Sequence, residues 1–244
     1  MAAGAQSVDR AFELLEVLGR AGQPLSLAEI AQRTGLAAPT AHRLLRTMQA
    51  GGYVNQNASR DYSLGPGLIA LGRQATPALA LLAQPLLAEL EEISHETANL
   101  AVLEKDLISY IAQVPSRHQM RMFTEVGRQV LPHASGVGKA ILSTLPEARA
   151  RKIIERTGLP GYTESTITET PAFFADMRES RRRGFAIDDG EKEVGVRCIA
   201  VAIPGSHPPA AVSISGPAAR VTTAASAAYV EALQQAARTL AQAG

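Results

Sequence analysis

Three short segments with helical periodicity, followed by a hairpin pattern, occupy the first 65 residues and constrain the fold more than any other feature. In the first segment, apolar residues recur every three or four positions from Ser7, and we expect Gly19 to end it. Ser26 and Glu29 form a capping-box pattern that predicts a second helix to about Thr34. Gly35 then suits the C-cap of that helix.

The third helical segment carries a single apolar stripe. Pro39 suits its first turn, and Gly51 and Gly52 follow its last apolar residue. The stripe consists of Ala41, Leu44, Leu45 and Met48. Residues 53–54 and 62–64 then flank a polar stretch, which is typical of a two-stranded hairpin. Three helices and a hairpin predict a winged helix-turn-helix domain over residues 1–65.

The rest of the chain predicts a second domain. We expect a linker helix at 66–76 and a domain at 77–244 that opens with a long helix ending near Ser94. Strand patterns follow at 99–103, 107–113, 120–123, 197–203 and 211–216, and helical patterns at 135–144, 146–157, 171–183 and 222–242. The predicted fold class is therefore α+β, with an antiparallel sheet and helices packed against it.

The third helix presents hydrogen-bond donors on the side opposite its apolar stripe. Thr40, Arg43 and Thr47 lie on that side, with His42 and Arg46 on its flanks. Arginine can bridge two guanine acceptors in the major groove, which admits a helix. Arg60, at the hairpin tip and supported by Tyr62, is placed to reach the adjacent groove or backbone. The predicted DNA-binding set is Ser26, Thr40, His42, Arg43, Arg46, Thr47, Arg60 and Tyr62.

The same residues allow a different interpretation. Arginines on a helix are often a solvated face, and a winged-helix unit can also be a protein-interaction module without DNA affinity. With 24 basic and 23 acidic residues, net charge does not decide between them.

Several motifs, in order along the whole chain, resemble the IclR family of bacterial transcription regulators. They are Ser7-Val-Asp-Arg10, Leu27-Ala-Glu-Ile-Ala31, Thr40-Ala-His-Arg-Leu-Leu45, Gly52-Tyr-Val54, Tyr62-Ser-Leu-Gly65, Glu96-Thr-Ala-Asn-Leu100, His133-Ala-Ser-Gly-Val-Gly-Lys-Ala140, Arg183-Gly-Phe-Ala-Ile-Asp188, Gly195-Val-Arg-Cys-Ile-Ala200 and Ser213-Ile-Ser-Gly-Pro217. The resemblance implies a repressor that binds a palindromic double-stranded DNA operator as a homodimer or a dimer of dimers. It also implies a GAF-like C-terminal domain that binds a small organic effector.

The resemblance further implies which positions contact the effector. They are Met122, Val130, Gly136, Val137, Asp188, Val196, Cys198, Ser213 and Ser215. Two departures from the family pattern occur here. Pro39 stands where a serine or threonine is common, and the order Leu131-Pro132 reverses the frequent one.

The residues themselves support a binding pocket in the second domain. Strand alternation puts Cys198, Ala200 and Ala202 on one face, and Ser213 and Ser215 share a face of the partner strand. Ser135 can cap the helix that follows it, so that the N–H groups of Gly136, Val137 and Gly138 stay free for an anion. Met120, Met122 and Val130 can form an apolar wall, and Asp188 can accept a hydrogen bond. We expect a keto acid or aromatic acid as effector.

Other assignments remain as alternatives. Met122 and Val130 can be simple core, and Cys198 a buried inert thiol. Cys198 with His133 can imitate a thiol enzyme, and Asp188, Asp189, Glu191 and Glu193 a divalent-ion site. The single cysteine excludes an intramolecular disulfide, and no apolar run reaches the length of a membrane span. We expect a cytoplasmic regulator that is not an enzyme and needs no cofactor or metal.

Overall fold

The computed structural model describes residues 5–74, 78–122 and 125–243, and for residues 73 and 223–226 it describes the backbone alone. The chain divides into two compact units, residues 1–76 and 77–244.

The first unit contains three helices, a hairpin and a further helix. The elements are α1 (Gln6–Ala21), α2 (Leu27–Thr34), α3 (Ala38–Ala50), β1 (Val54–Gln56), β2 (Tyr62–Leu64) and α4 (Gly67–Gln74). The strands pair antiparallel, and Tyr62 also pairs with Leu25. The core contains Leu14, Leu18, Leu25, Ile30, Ala41, Leu45, Met48, Val54 and Tyr62. This is a helix-turn-helix unit, with α4 inside the segment expected to connect the domains.

The predicted helix ends are right for α2 and wrong for α1. Ser26 and Glu29 form the expected capping box, and Gly35 follows the helix in the left-handed region at φ 67°. Helix α1 continues through Gly19 and stops before Gly22, which has φ 63°. A glycine inside a helix costs only about 1 kcal/mol, so Gly19 does not end it.

The second unit is a six-stranded antiparallel sheet with helices on both faces. The elements are α5 (Ala78–Ser94), β3 (Thr97–Glu104), β4 (Leu107–Val114), β5 (Gln129–Val130), α6 (Gly136–Thr144), α7 (Glu147–Thr157), α8 (Thr170–Arg183), β6 (Ala186–Asp189), β7 (Val196–Ile203), β8 (Ala210–Pro217) and α9 (Thr223–Ala243). The strand order is β5-β4-β3-β8-β7-β6. The predicted α+β class with an antiparallel sheet is therefore confirmed.

The two faces of the sheet differ in side-chain size. Ile199, Val201 and Ile214 pack in the core formed with α5 and α9. Ala200 and Ala211 face the other core, with α6, α7 and α8. The predicted alternation along β7 and β8 is thus present, and the face with small side chains is the one that borders the cavity described below.

One predicted strand is wrong, and two short strands were not expected. Residues 120–122 are not in a strand, and residue 123 lies outside the described residues. Side chains rather than a strand hold this segment, since Arg220 Nη2 donates to Met120 O (2.9 Å) and Thr97 Oγ1 to Met122 O (3.5 Å). Strands β5 and β6 are too short for a clear alternation pattern. Among the helices of the described residues, none is long and apolar enough to cross a membrane.

Candidate nucleic-acid interface and ligand cavity

Helix α3 buries one face and leaves the other free. Ala41, Leu45 and Met48 are buried, whereas His42, Arg43, Arg46 and Thr47 are exposed and line a shallow depression with Ala50. Within residues 5–74, the Arg43 and Arg46 guanidinium groups have no hydrogen-bond or ion-pair partner. Both groups can therefore bind an external acceptor without first breaking an internal bond.

The hydroxyl groups of the predicted interface are less free than the arginines. Thr47 Oγ1 donates to Arg43 O (3.1 Å), so it can only accept a further bond, and Thr40 is half-buried. Ser26 Oγ donates to Glu29 Oε2 (2.7 Å). This bond, with the backbone N–H of Ser26, lowers the pKa of Glu29. A Ser26 hydroxyl that caps α2 cannot also donate to a phosphate, and we remove it from the direct contacts.

The wing places its two predicted residues differently. Arg60 is exposed at the tip with φ 67°, in the left-handed region that non-glycine residues rarely adopt. The tip is closed by bonds from Asn57 N to Asp61 O (3.0 Å) and from Asp61 N to Asn57 Oδ1 (2.8 Å). Tyr62 is only 2% exposed and its backbone pairs with Leu25, so its predicted contact with DNA is corrected to a core position below the wing.

A cavity of about 270 Å³ lies in the second unit, at the N-terminal end of α6. Its lining comes from segments that are distant in sequence: Tyr110, Met122, Arg128, Val130, Ala134, Ser135, Gly136, Asp188, Lys192, Glu193, Val196, Cys198 and Ser215. Eight of the residues predicted to bind the effector are therefore brought together, namely Met122, Val130, Ser135, Gly136, Asp188, Val196, Cys198 and Ser215.

Two of the predicted residues lie behind the lining. Val137 is buried in the core around α6, and Ser213 is fully buried next to the Cys198 thiol. Asn99 Nδ2 donates to Ser215 Oγ (3.0 Å) and lies 3.4 Å from Ser213 Oγ. Because Asn99 supplies the donor, the Ser215 hydroxyl keeps its own proton for a ligand.

The predicted anion seat at the start of α6 is only partly free. Ser135 Oγ accepts from the Gly138 N–H (3.2 Å), as an N-cap does, and the Gly136 N–H is directed to the Cys198 sulfur. Of the three N–H groups expected to be free, two are thus used inside the protein. An anion in the cavity would therefore need hydrogen-bond donors and positive charge from residues other than those at the start of α6.

Three residues that the sequence analysis missed can supply the hydrogen-bond donors and positive charge for an anion. They are two cations, Arg128 and Lys192, and a phenol, Tyr110. Arg128 is exposed, and among the residues that the structure describes no partner binds its guanidinium group. Lys192 Nζ lies 3.1 Å from the centre of the Tyr162 ring. Burial raises the pKa of Tyr110, so its hydroxyl stays protonated and can donate. Tyr110 could have been found from the alternation in β4, whereas Arg128 and Lys192 lie in connecting segments without a pattern.

Asp188, which lines the cavity, and its neighbour Asp189 have bonding partners inside the protein. Asp188 Oδ1 accepts from the Glu191 N–H (2.8 Å), and burial raises the pKa of Asp188. Asp189 binds Arg197 through both carboxylate oxygens (2.9 Å each). No group of three or more metal-ligating side chains occurs in residues 5–74, 78–122 and 125–243. The structure therefore offers no support for the alternative of a divalent-ion site.

Cys198 and His133 do not form a catalytic pair. Burial, with the nearby Asp188 charge, raises the pKa of the Cys198 thiol to about 12, so the thiolate is rare at neutral pH. His133 Nε2 lies 2.9 Å from Pro160 O, and burial lowers the pKa of this histidine. A protonated thiol and a histidine bound to a carbonyl lack the activation that a nucleophile needs.

Both units match the same family of known proteins. Residues 7–58 match the IclR helix-turn-helix domain, and residues 76–242 match the bacterial transcriptional regulator IclR C-terminal domain. This chain belongs to the IclR family of bacterial transcriptional regulators. The expected family is thereby confirmed, and its members are regulators rather than enzymes.

Relatives and solved structures agree with this assignment. The transcriptional repressor IclR of Escherichia coli K12 is 39% identical over 224 residues, which cover 89% of this chain and 82% of the relative. The crystal structure of an IclR transcriptional regulator from Alicyclobacillus acidocaldarius superposes with a TM-score of 0.88 at 28% identity, covering 98% of this chain and 99% of the other. An IclR homologue from Microbacterium hydrocarbonoxydans, complexed with 4-hydroxybenzoate, has the same fold, with a TM-score of 0.83 at 24% identity and coverage of 98% and 100%.

Proposed function

We propose that this IclR-family protein represses transcription as a homodimer or dimer of dimers. Two α3 helices would bind the half-sites of a palindromic operator, and a small organic acid in the cavity of the second unit would modulate that binding. Arg43 and Arg46 are exposed and have no partner among the described residues, which supports direct contact with bases. Half-sites one helical turn apart tolerate little change in the spacing of two reading helices, so an effector can lower affinity by changing geometry alone.

The observation that carries the effector proposal is the donor set of the cavity. Arg128, Lys192, Tyr110 and Ser215 can each offer a proton to a carboxylate, and Met122, Val130 and Val196 provide apolar surface. This combination fits a small acid with an apolar or aromatic body. The 4-hydroxybenzoate complex of the Microbacterium homologue shows such a ligand in a protein of this fold. We include keto acids and hydroxybenzoates in the proposed class.

A mobility-shift assay with the DNA upstream of the gene, combined with calorimetry on a panel of both acid classes, tests the proposal. We expect a retained band at low salt and at least one acid that binds the protein and reduces the retention. Without a retained band at any protein concentration the DNA-binding proposal fails, and without a binding acid the effector proposal fails.

Ser215→Leu tests the location of the effector site. Ser215 lines the cavity and is nearly buried, so a leucine there fills space that the ligand needs. Overpacking of this kind should weaken acid binding by about 10- to 100-fold or more, while operator binding stays intact. Calorimetry with the acid and a mobility shift without it measure the two effects. Ser215→Ala is the matched control. It removes only the hydroxyl donor, so its affinity for the acid should fall by about tenfold or less. Unchanged affinity in the leucine variant would place the effector elsewhere.

Arg60→Ala and Arg60→Gly separate the role of the wing from its backbone geometry. Both variants should bind operator and unrelated DNA more weakly by a similar factor, because a backbone contact carries no sequence information. The glycine variant should be about 1 kcal/mol more stable than the alanine variant, since only glycine adopts φ 67° without a Cβ penalty. Binding titrations on two DNA sequences and urea unfolding measure these differences. A loss confined to the operator would instead assign Arg60 to base reading.

A further inference from the structure

Lys139 is a buried ammonium group that the proposed function does not use. Its side chain is 1% exposed on α6, and its Nζ forms an ion pair and hydrogen bond with Glu191 Oε1. Asp176 Oδ2, on α8, lies 3.0 Å from the same Nζ, although its geometry is that of an ion pair without a hydrogen bond. A buried ammonium group is tolerated only when it is paired. The cluster therefore holds the backbone segments that carry Glu191 and Asp176 close to α6.

Glu191 belongs to the segment 190–195 that joins β6 to β7 and that we name the cavity loop. Gly190 (φ 72°) and Gly195 (φ 79°) bound the loop in the left-handed region. Lys192 and Glu193, next to Glu191 in sequence, line the ligand cavity. The loop thus has one buried side chain, Glu191, followed directly by two side chains that line the cavity.

Further bonds hold the same point of the loop. Thr163 Oγ1 donates to Gly190 O and Thr166 Oγ1 to Glu191 O, both at 2.6 Å. All these bonds converge on residues 190–191. Beyond the ion pair, the backbone of Glu191 is tied to Asp188, a residue of the cavity lining.

We propose that Lys139 is a positioning residue for effector binding. Through Glu191 it holds the cavity loop in place, and the loop in turn places Lys192 and Glu193 in the lining of the cavity, which Cys198 also lines. The proposal rests on the proposed function, because the loop matters only if the cavity binds an effector. It deepens that function by assigning a role to a residue that does not line the cavity.

The two carboxylates around Lys139 differ in what they hold. Asp176 belongs to α8 and is absent from the cavity lining, whereas Glu191 belongs to the cavity loop. Burial raises the pKa of Glu191 to about 7, against the opposing effect of the Lys139 charge, so its ionised form is held at a cost. Loss of Glu191 should also cost more global stability than loss of Asp176, because only Glu191 is hydrogen-bonded to Lys139, so global unfolding has to be measured beside local opening. If Glu191 holds the cavity loop in place, loss of Glu191 should increase the local opening of the loop, whereas loss of Asp176 should not.

Cys198 provides the readout, because it is the only cysteine of the chain and lines the cavity. We would measure the rate at which N-ethylmaleimide modifies full-length protein without effector, in the wild type and in the matched variants Glu191→Ala and Asp176→Ala. We expect Glu191→Ala to accelerate modification by about tenfold or more, and Asp176→Ala by less than about twofold. The reason is that only the loss of Glu191 allows the cavity loop to open locally. Lys139→Met should accelerate modification of Cys198 by a factor similar to that of Glu191→Ala.

Urea separates local opening from a general loss of stability. A modification rate of Glu191→Ala that stays constant in low urea indicates local opening, whereas a rate that rises with urea from the start indicates global unfolding. Equal acceleration in both alanine variants, no acceleration in Glu191→Ala, or a urea-dependent rate would each overturn the proposal. The assay contains no effector, so failure to find a binding acid would count against the proposed function and not against the anchored loop.

Discussion

Arg43→Ala should reduce affinity for the operator by about 10- to 100-fold while affinity for unrelated DNA changes little, because a bidentate arginine–guanine contact is worth roughly 1–3 kcal/mol. The exposed position of Arg43 on α3, with no internal partner among the described residues, is the structural reason. Titration of the operator and of a scrambled sequence at one salt concentration measures the two affinities.

Arg20→Ala is the matched control for this result. Arg20 is also an exposed arginine of the first unit, but it belongs to α1 rather than α3 and pairs with Glu16. We expect wild-type binding to both DNA sequences. A loss of equal size on operator and scrambled DNA in Arg43→Ala would mean that Arg43 contacts the phosphate backbone, and the division of roles between helix and wing would be wrong.

Gly138→Ala should destabilise the second unit by about 3 kcal/mol or more, at the upper end of what overpacking costs. A Cβ on Gly138 would lie 2.3 Å from Pro132 O and 2.5 Å from Pro132 Cα. These are backbone atoms, so the clash is relieved only by moving the start of α6 away from the 132–135 segment. Urea unfolding measures the loss of stability, and acid binding should weaken with it because Ser135 and Gly136 line the cavity.

The matched control for this glycine is Gly161→Ala. Its added Cβ would meet only Thr168 Cγ2 at 3.5 Å, an ordinary van der Waals distance. We expect a change within about 0.5 kcal/mol, as for most surface substitutions. Similar stabilities of the two variants would show that α6 can shift to accept a side chain, which would contradict the tight approach of Pro132.

Local chemistry made much of the fold predictable. Ser26, Glu29 and Gly35 define α2 through bonds between near neighbours, and the alternation along β7 and β8 separates the two faces of the sheet. Apart from the end of α1, which depended on how little a glycine costs inside a helix, the main error arose where the deciding contacts are distant in sequence. Residues 120–122 alternate apolar and polar side chains as a strand does, but Arg220, about 100 residues later, and Thr97 bind the carbonyl groups of Met120 and Met122.

The residues of the candidate site could likewise be predicted where a local sequence pattern marks them, and not where a contact distant in sequence decides. Strand alternation indicated Cys198 and Ser215, which lie in β7 and β8, and helix capping indicated Ser135, which precedes α6. Arg128 and Lys192 were missed because no periodicity marks a connecting segment, and the pairing of Lys139 with Glu191 joins residues 52 positions apart. The burial of Tyr62 was missed for a related reason, since its pairing with Leu25 lies outside the hairpin.

The separation of the sheet into a large-residue face and a small-residue face has a practical use. Substitutions at Met122, Cys198 or Ser215 alter the room available to a ligand, while Ile199, Val201 and Ile214 on the opposite side keep the helices α5 and α9 in place. A library confined to the first three positions should therefore change which acid the proposed effector site accepts. Such variants would turn one regulator into a set of genetically encoded sensors.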